Sequence, residues 1–209
     1  MKVTAIDRKK VILNSLTTKM AFKCERMMKD ALGALYALDG EKGAALAEED
    51  KVVDGYYSEI EGICLKTMLL DHPVASDFLF ISSTLKMITD FERIGDYAVD
   101  IGEEASFLSN KGKFVFPSSL KELSNAVMNI VEEAIQSYVN LNASRGAHLD
   151  ELDDKVDVLF ASLKDEILFQ DGKKENAIFM LVSKYLERVA DHCVNIGEWI
   201  TYLETGNRK

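Results

Sequence analysis

Apolar residues along this chain recur at spacings of three and four. Met20, Cys24, Met27, Ala31, Ala34 and Leu38 form one such run. Ile94, Ala98, Ile101, Ala105 and Leu108 form a second, and Val182, Leu186, Val189, Cys193, Ile196 and Ile200 a third. That period marks one face of an α-helix. No segment shows the sustained alternation, bounded by turn dipeptides, that marks a strand. The only prolines are Pro73 and Pro117, and long proline-free tracts of Ala, Leu, Glu, Lys and Met suit long helices.

The pattern predicts an all-α chain of six long helices. The first runs from about residue 5 to the Leu38-Asp39-Gly40 turn, and the second from about 41 to Asp71. Pro73 opens the third, which closes near Asn110-Lys111-Gly112. Pro117-Ser118-Ser119 starts the fourth, which ends between Asn142 and Gly146. The fifth covers about 148–170, and an Asp171-Gly172 turn leads into the sixth, ending near Gly206.

The two halves repeat. At an offset of 103, Ala31 matches Ala134, Leu38 matches Leu141, Gly43 matches Gly146, Leu46 matches Leu149, Asp50 matches Asp153 and Asp54 matches Asp157. Further on the offset becomes 95, so the first half carries eight extra residues (103 − 95) between its second and third helices. There ERIGDYAVDIGE (92–103) aligns with ERVADHCVNIGE (187–198), identical at seven of twelve positions. The repeat predicts two pseudo-symmetric three-helix bundles, residues 1–112 and 113–209.

Charge narrows the partners. The 35 acidic and 25 basic residues leave a net charge of −10, which argues against nucleic acid or an anionic membrane as the main partner. No window approaches ~18 uninterrupted apolar residues, the length of a membrane span. Asp7 and Asn14 interrupt the apolar part of the N-terminus, so no signal peptide is expected. Cys24, Cys64 and Cys193 lie far apart without metal-like spacing and read as buried thiols of a reducing compartment. The expectation is a cytoplasmic protein.

The repeated segments carry the candidate chemistry. Asp50 and Asp54 lie four apart on one helix face, as do Asp153 and Asp157. Glu92, Asp96 and Asp100 continue the pattern on the third helix, and Glu187, Asp191 and Asn195 on the sixth. A solvated face usually sets Lys or Arg four residues from an acid, gaining about 0.2–0.5 kcal/mol per pair. These rows set acid against acid in both halves. Carboxylates clustered on facing helices make an oxygen-rich site for cations such as Fe, Mn, Mg or Zn. Asn195 in place of an acid, and Lys164 where the repeat places a partner of Glu61, make the second row less negative than the first. Arg93 and Arg188 read as braces for neighbouring carboxylates, with phosphate contact the alternative. His192, beside Asp191, reads as structural, with metal ligation the alternative. No Gly-rich phosphate loop, nucleophile elbow or paired Cys/His site occurs, and no enzyme is expected.

DFERIGDYAVDIGE and KYLERVADHCVNIGEWI resemble the two signature copies of the PhoU family of phosphate-regulon regulators. The likeness extends to MMKDALGALYALD, to AEEDKVVD with LDDKVD, and to HPVASDF before the third helix. One departure is Leu79, where the family often has arginine. The resemblance implies a pair of three-helix bundles and a regulator of phosphate uptake and its signalling. It implies as partners the ATPase of a phosphate ABC transporter and a sensor histidine kinase. It also implies multinuclear iron or zinc clusters on Asp50, Asp54, Glu92, Asp96 and Asp100, and on Asp153, Asp157, Glu187, Asp191 and Asn195. A homodimer is expected as well. The alternatives are a metal-cluster protein with an enzymatic or storage role, and an accessory of a sodium–phosphate cotransporter.

Overall fold

A computed structural model describes residues 4–168 and 175–206. Six helices follow in order: α1 (Ala5–Ala37), α2 (Gly40–Leu70), α3 (Ala75–Ser109), α4 (Ser118–Asn140), α5 (Ala143–Leu168) and α6 (Asn176–Thr205). The expected Asp171-Gly172 turn lies outside the described residues. Thr4 and Asp7 cap α1 reciprocally: the Thr4 hydroxyl accepts from the Asp7 amide at 3.1 Å, and the Asp7 carboxylate from the Thr4 amide at 2.8 Å. Asp39 caps α2 by accepting from the Lys42 amide at 3.0 Å. Asp39→Ala is expected to cost about 1 kcal/mol in a denaturant melt, the usual worth of such a cap.

The α1–α2 and α4–α5 turns are copies of one another. Leu38 and Leu141 both adopt left-handed backbone, at φ 54° and 47°. Asp39 N–H then reaches back to the Ala34 carbonyl at 2.9 Å, and Asn142 N–H to that of Ser137 at 3.0 Å. So tight a turn restarts the helix at Ala143, about five residues before the expected position. The start of α3 differs less. Pro73 lies just outside it, and Val74 occupies the N-cap.

Helices α2, α3, α6 and α5 form one layer in that spatial order, with α1 against α2 and α3, and α4 against α5 and α6. Helix α1 also touches α4. The core fills the space between these layers. Phe91 meets Tyr138 edge-on at 6.0 Å, and Phe116, on the α3–α4 connection, sits between Tyr36 and Phe179 at 5.1 and 5.3 Å. All three cysteines are buried and free. The Cys24 thiol donates to the Phe91 carbonyl.

Two close helix crossings set the geometry of the site. In the first, Gly43 of α2 lies on Gly102 of α3; a Cβ at Gly43 would fall 2.3 Å from the Gly102 carbonyl oxygen. In the second, Gly146 of α5 lies on Gly197 of α6, where a Cβ would fall 2.8 Å from the opposing carbonyl in either direction. Gly102 and Gly197 are the glycines of the two IGE segments. Their lack of a side chain lets each helix pair run backbone against backbone, which draws the acidic rows of the two helices together.

Candidate functional site

Within about three turns of each glycine crossing, the helix pairs carry their acids. Asp50 projects from α2 over Gly95 of α3, so close that a Cβ on Gly95 would lie 3.0 Å from Asp50 Oδ1. Burial, then the charges of Asp54, Asp96 and Glu92, push the Asp50 carboxyl up to about 6. The second half repeats this: burial, then Asp157, Asp191, Asp154 and Glu187, push Asp153 up to about 6. Both halves therefore bring the expected α2/α3 and α5/α6 acids into one electrostatic neighbourhood. Burial and Asp96 also raise Glu92, against the opposing charge of Arg93. Burial and Glu187 raise Asp191, against Arg188 and Lys184. Asp54 and Asp157 stand at the solvent edge and the other acids of the rows are half-buried.

The arginines brace the acids beside them. Arg93 Nη1 lies 2.9 Å from Asp96 Oδ2 and its Nε 3.6 Å from Glu92 Oε2. Arg188 Nη1 lies 3.1 Å from Asp191 Oδ2 and its Nε 3.7 Å from Glu187 Oε2. With the side chains so arranged, no three His, Cys, Asp or Glu among the described residues converge tightly enough to hold a metal ion. The rows nonetheless fit a cation in one specific respect. Asp50 Oδ1 and Asp153 Oδ1 are both buried and have no hydrogen-bond partner, and a carboxylate oxygen in that state calls for a positive donor.

The two ends of the rows differ. Asp100 stays with its row, raised by burial and by Glu103 and Asp96. Asn195, its counterpart, donates from Nδ2 to Asp90 Oδ1 at 3.2 Å, across the seam between α6 and α3. The same Asp90 oxygen lies 2.9 Å from His192 Nδ1. His192 stacks at 6.0 Å on Tyr97, which in turn stacks at 5.7 Å on Tyr185. At the offset of 95, Asp90 corresponds to Tyr185 and Tyr97 to His192. The Asp90–His192 and Tyr97–Tyr185 contacts are thus the same contact made twice, about an axis through the Tyr97–His192 pair.

Three features escaped the sequence reading: the Asp90 seam, the tyrosine pair, and Lys184, which reaches Glu187 Oε2 at 2.5 Å. Lys184 stands three residues before Glu187, a spacing that could have been noticed. The partner of Asp90 lies on another helix, and nothing local points to it.

Among the described residues no helix is long and apolar enough to cross a membrane. Comparison with known proteins places the whole arrangement. The PhoU domain matches residues 17–105 and again 120–200. A phosphate-specific transport system accessory protein PhoU homolog from Clostridium acetobutylicum is 30% identical over 202 residues, spanning 94% of this chain and 92% of that one. Its Synechocystis counterpart is 30% identical over 195 residues, 91% and 87% of the two chains. The crystal structure of PhoU from Pseudomonas aeruginosa superposes with a TM-score of 0.90 at 25% identity, covering 96% of this chain and 99% of that one. The PhoU structure from Streptococcus pneumoniae has the same fold, with a TM-score of 0.88 at 23% identity over 98% and 99% of the chains.

Proposed function

The chain belongs to the PhoU family, and from that membership we propose that it is an accessory protein of a phosphate-specific transport system that holds uptake and its signalling down when phosphate is ample. The observation that carries this reading is the match of both repeats, together with a relative aligned over nearly the full length of both chains. In this reading the protein is a non-catalytic cytoplasmic adaptor between the ATPase of a phosphate ABC transporter and a sensor histidine kinase. Long rigid helices suit such a bridge, and nothing in the acidic rows resembles a nucleophile with its base. Deleting the gene should leave phosphate-responsive expression on, and uptake high, in phosphate-rich medium. Normal repression in the deletion strain would overturn the regulator. Capture of a sodium–phosphate cotransporter instead of the ABC ATPase would reassign the partner.

The acidic rows are, in the same proposal, sites for iron, zinc or a similar cation: Asp50, Asp54, Glu92, Asp96 and Asp100 in one half, Asp153, Asp157, Glu187 and Asp191 in the other. Asn195 would join the second set through Oδ1, its Nδ2 being held by Asp90. A bound multivalent cation would supply the positive charge that the rows lack and tie α2 to α3, or α5 to α6. The unfolded chain has no such site, so stability should rise with metal concentration by mass action. Asp96→Asn combined with Asp191→Asn should abolish that rise in thermal melts with iron, zinc or manganese. A wild-type melt unmoved by all three would leave the rows as a partner-docking face.

We also propose a homodimer. The exposed apolar side chains Leu65, Leu69, Leu70, Val74 and Phe78, around the α2–α3 turn, support self-association. Sedimentation at tens of micromolar should give twice the chain mass, and a monomer there would end the idea.

A further inference from the structure

The two acidic rows are not equally short of positive charge. On α3, Glu92 and Asp96 share one cationic side chain of their own helix, Arg93. On α6, Glu187 and Asp191 have two, because Lys184 joins Arg188. Lys184 Nζ lies 2.5 Å from Glu187 Oε2 and 5.4 Å from the centre of the Phe160 ring on α5. The ammonium therefore stands between the helices of the second pair, anchored by a carboxylate on one side and an aromatic face on the other. Its charge also opposes the rise of Asp191. The Glu187 side chain is correspondingly more covered than Glu92, at 15% against 26% exposure.

At the repeat offset, Lys184 corresponds to Thr89, whose hydroxyl donates to the Leu85 carbonyl of its own helix at 3.1 Å. It brings no charge to the row. Two other basic side chains approach the first row. Lys23 of α1 opposes the rise of Asp50, but its ammonium is paired with Glu49 at 2.5 Å. His192 opposes the rise of Glu92, but its Nδ1 is engaged by Asp90. Neither contacts Glu92 or Asp96 as Lys184 contacts Glu187. Asp153 keeps its unpartnered oxygen despite Lys184, so the second half is weakened toward cations rather than closed to them.

We propose that Lys184 is a cation built into the second acidic row, standing in for bound metal on α6, so that this chain loads metal at α2–α3 first and at α5–α6 only weakly. The inference rests on the reading of the rows as cation sites. Removing a competing ammonium from the second row, or adding one to the first, should change affinity on the order of tenfold, the effect of a difference of about 1.4 kcal/mol.

The test has two arms. In the first, manganese, zinc and iron(II) are each titrated alone into chelator-treated protein, and bound metal is measured. Wild type should bind in two phases, with the tight phase lost in Asp96→Asn and the weak one in Asp191→Asn. Lys184→Thr should bring the weak phase up to the tight one, and Thr89→Lys should weaken the tight one. Two phases of equal affinity in wild type would overturn the proposal and leave the metal reading standing. The second arm is thermal melting in chelator, where Lys184→Thr should melt below wild type and Thr89→Lys above it. If no cation binds to wild type at all, the metal reading falls and the loading order with it, and this arm decides only whether Lys184 neutralises its own row. A lowered Lys184→Thr melt supports the built-in cation, and an unchanged one overturns it.

Discussion

Gly43→Val is expected to lower the melting temperature by about 2–12 °C, the largest loss of any single substitution considered. A side chain there would meet the Gly102 carbonyl oxygen, whose nearest approach to a Cβ is 2.3 Å. Backbone cannot step aside as a flexible side chain can, so α2 and α3 must separate along their length. Overpacking of this kind costs about 1–3 kcal/mol and occasionally more. For a chain of this size about 1 kcal/mol corresponds to roughly 2–4 °C. Gly102→Ala should cost less, because one of its two closest neighbours is Leu46 Cδ1, the movable end of a side chain. Gly55 and Gly62 are the controls. Each lies in α2, and a Cβ on either would meet nothing within 4 Å. Alanine at either should raise stability by about 0.5–1 kcal/mol, through helix propensity alone. If Gly43→Val melted like Gly55→Ala, the close crossing would not exist in solution.

The second large effect is a dependence on pH that runs opposite to ordinary acid denaturation. Asp50 and Asp153 titrate near 6 in the folded protein, above the usual aspartate value of 3.8. A carboxyl raised in this way binds its proton more tightly folded than unfolded. Its favourable contribution is complete below about pH 4 and is lost as pH rises through about 6. In chelator, the melting temperature should therefore fall between about pH 4.5 and 7. Allowing for the solvent-facing side of each carboxylate, about 1 kcal/mol per group is expected, a fall of several degrees for the pair. Asp50→Asn with Asp153→Asn should flatten that limb and raise the melt at pH 7.5. Saturating metal should flatten it too, by supplying the charge that protonation supplies at low pH. A chelated wild type equally stable at both ends of the range would mean that the two carboxyls are not buried as described.

Most of the architecture was legible because helical period and chain breaks are local properties. Met20 to Leu38 and Val182 to Ile200 announced their faces, and nearly all of those residues are in the core. The start of α5 was misjudged because the turn before it runs through Leu141, a residue with no turn preference. The acidic rows were legible for the same reason as the helices, since spacing by four fixes a shared face. What they face depends on other helices. Asn195 looked like a weakened member of its row, yet it is bound to a carboxylate over a hundred positions away in sequence. The glycines of the IGE segments were visible as part of a signature, but their physical role needs Gly43 and Gly146 opposite them.

The Asp90 seam has a consequence for a chain built from two similar halves. Such a chain is open to exchange, in which α3 of one molecule pairs with α3 of another and α6 with α6. In an α3–α3 pairing of the same geometry, the position of Asn195 would be taken by Asp100 and that of His192 by Tyr97. Asp90, only 8% exposed, would lose both its donors and meet a second carboxylate. Burying an unpaired charge beside a like one is among the costliest contacts a protein can make. The single hydrogen-bonded carboxylate at the centre thus sorts the repeats. Each α3 is directed to an α6 rather than to a second α3.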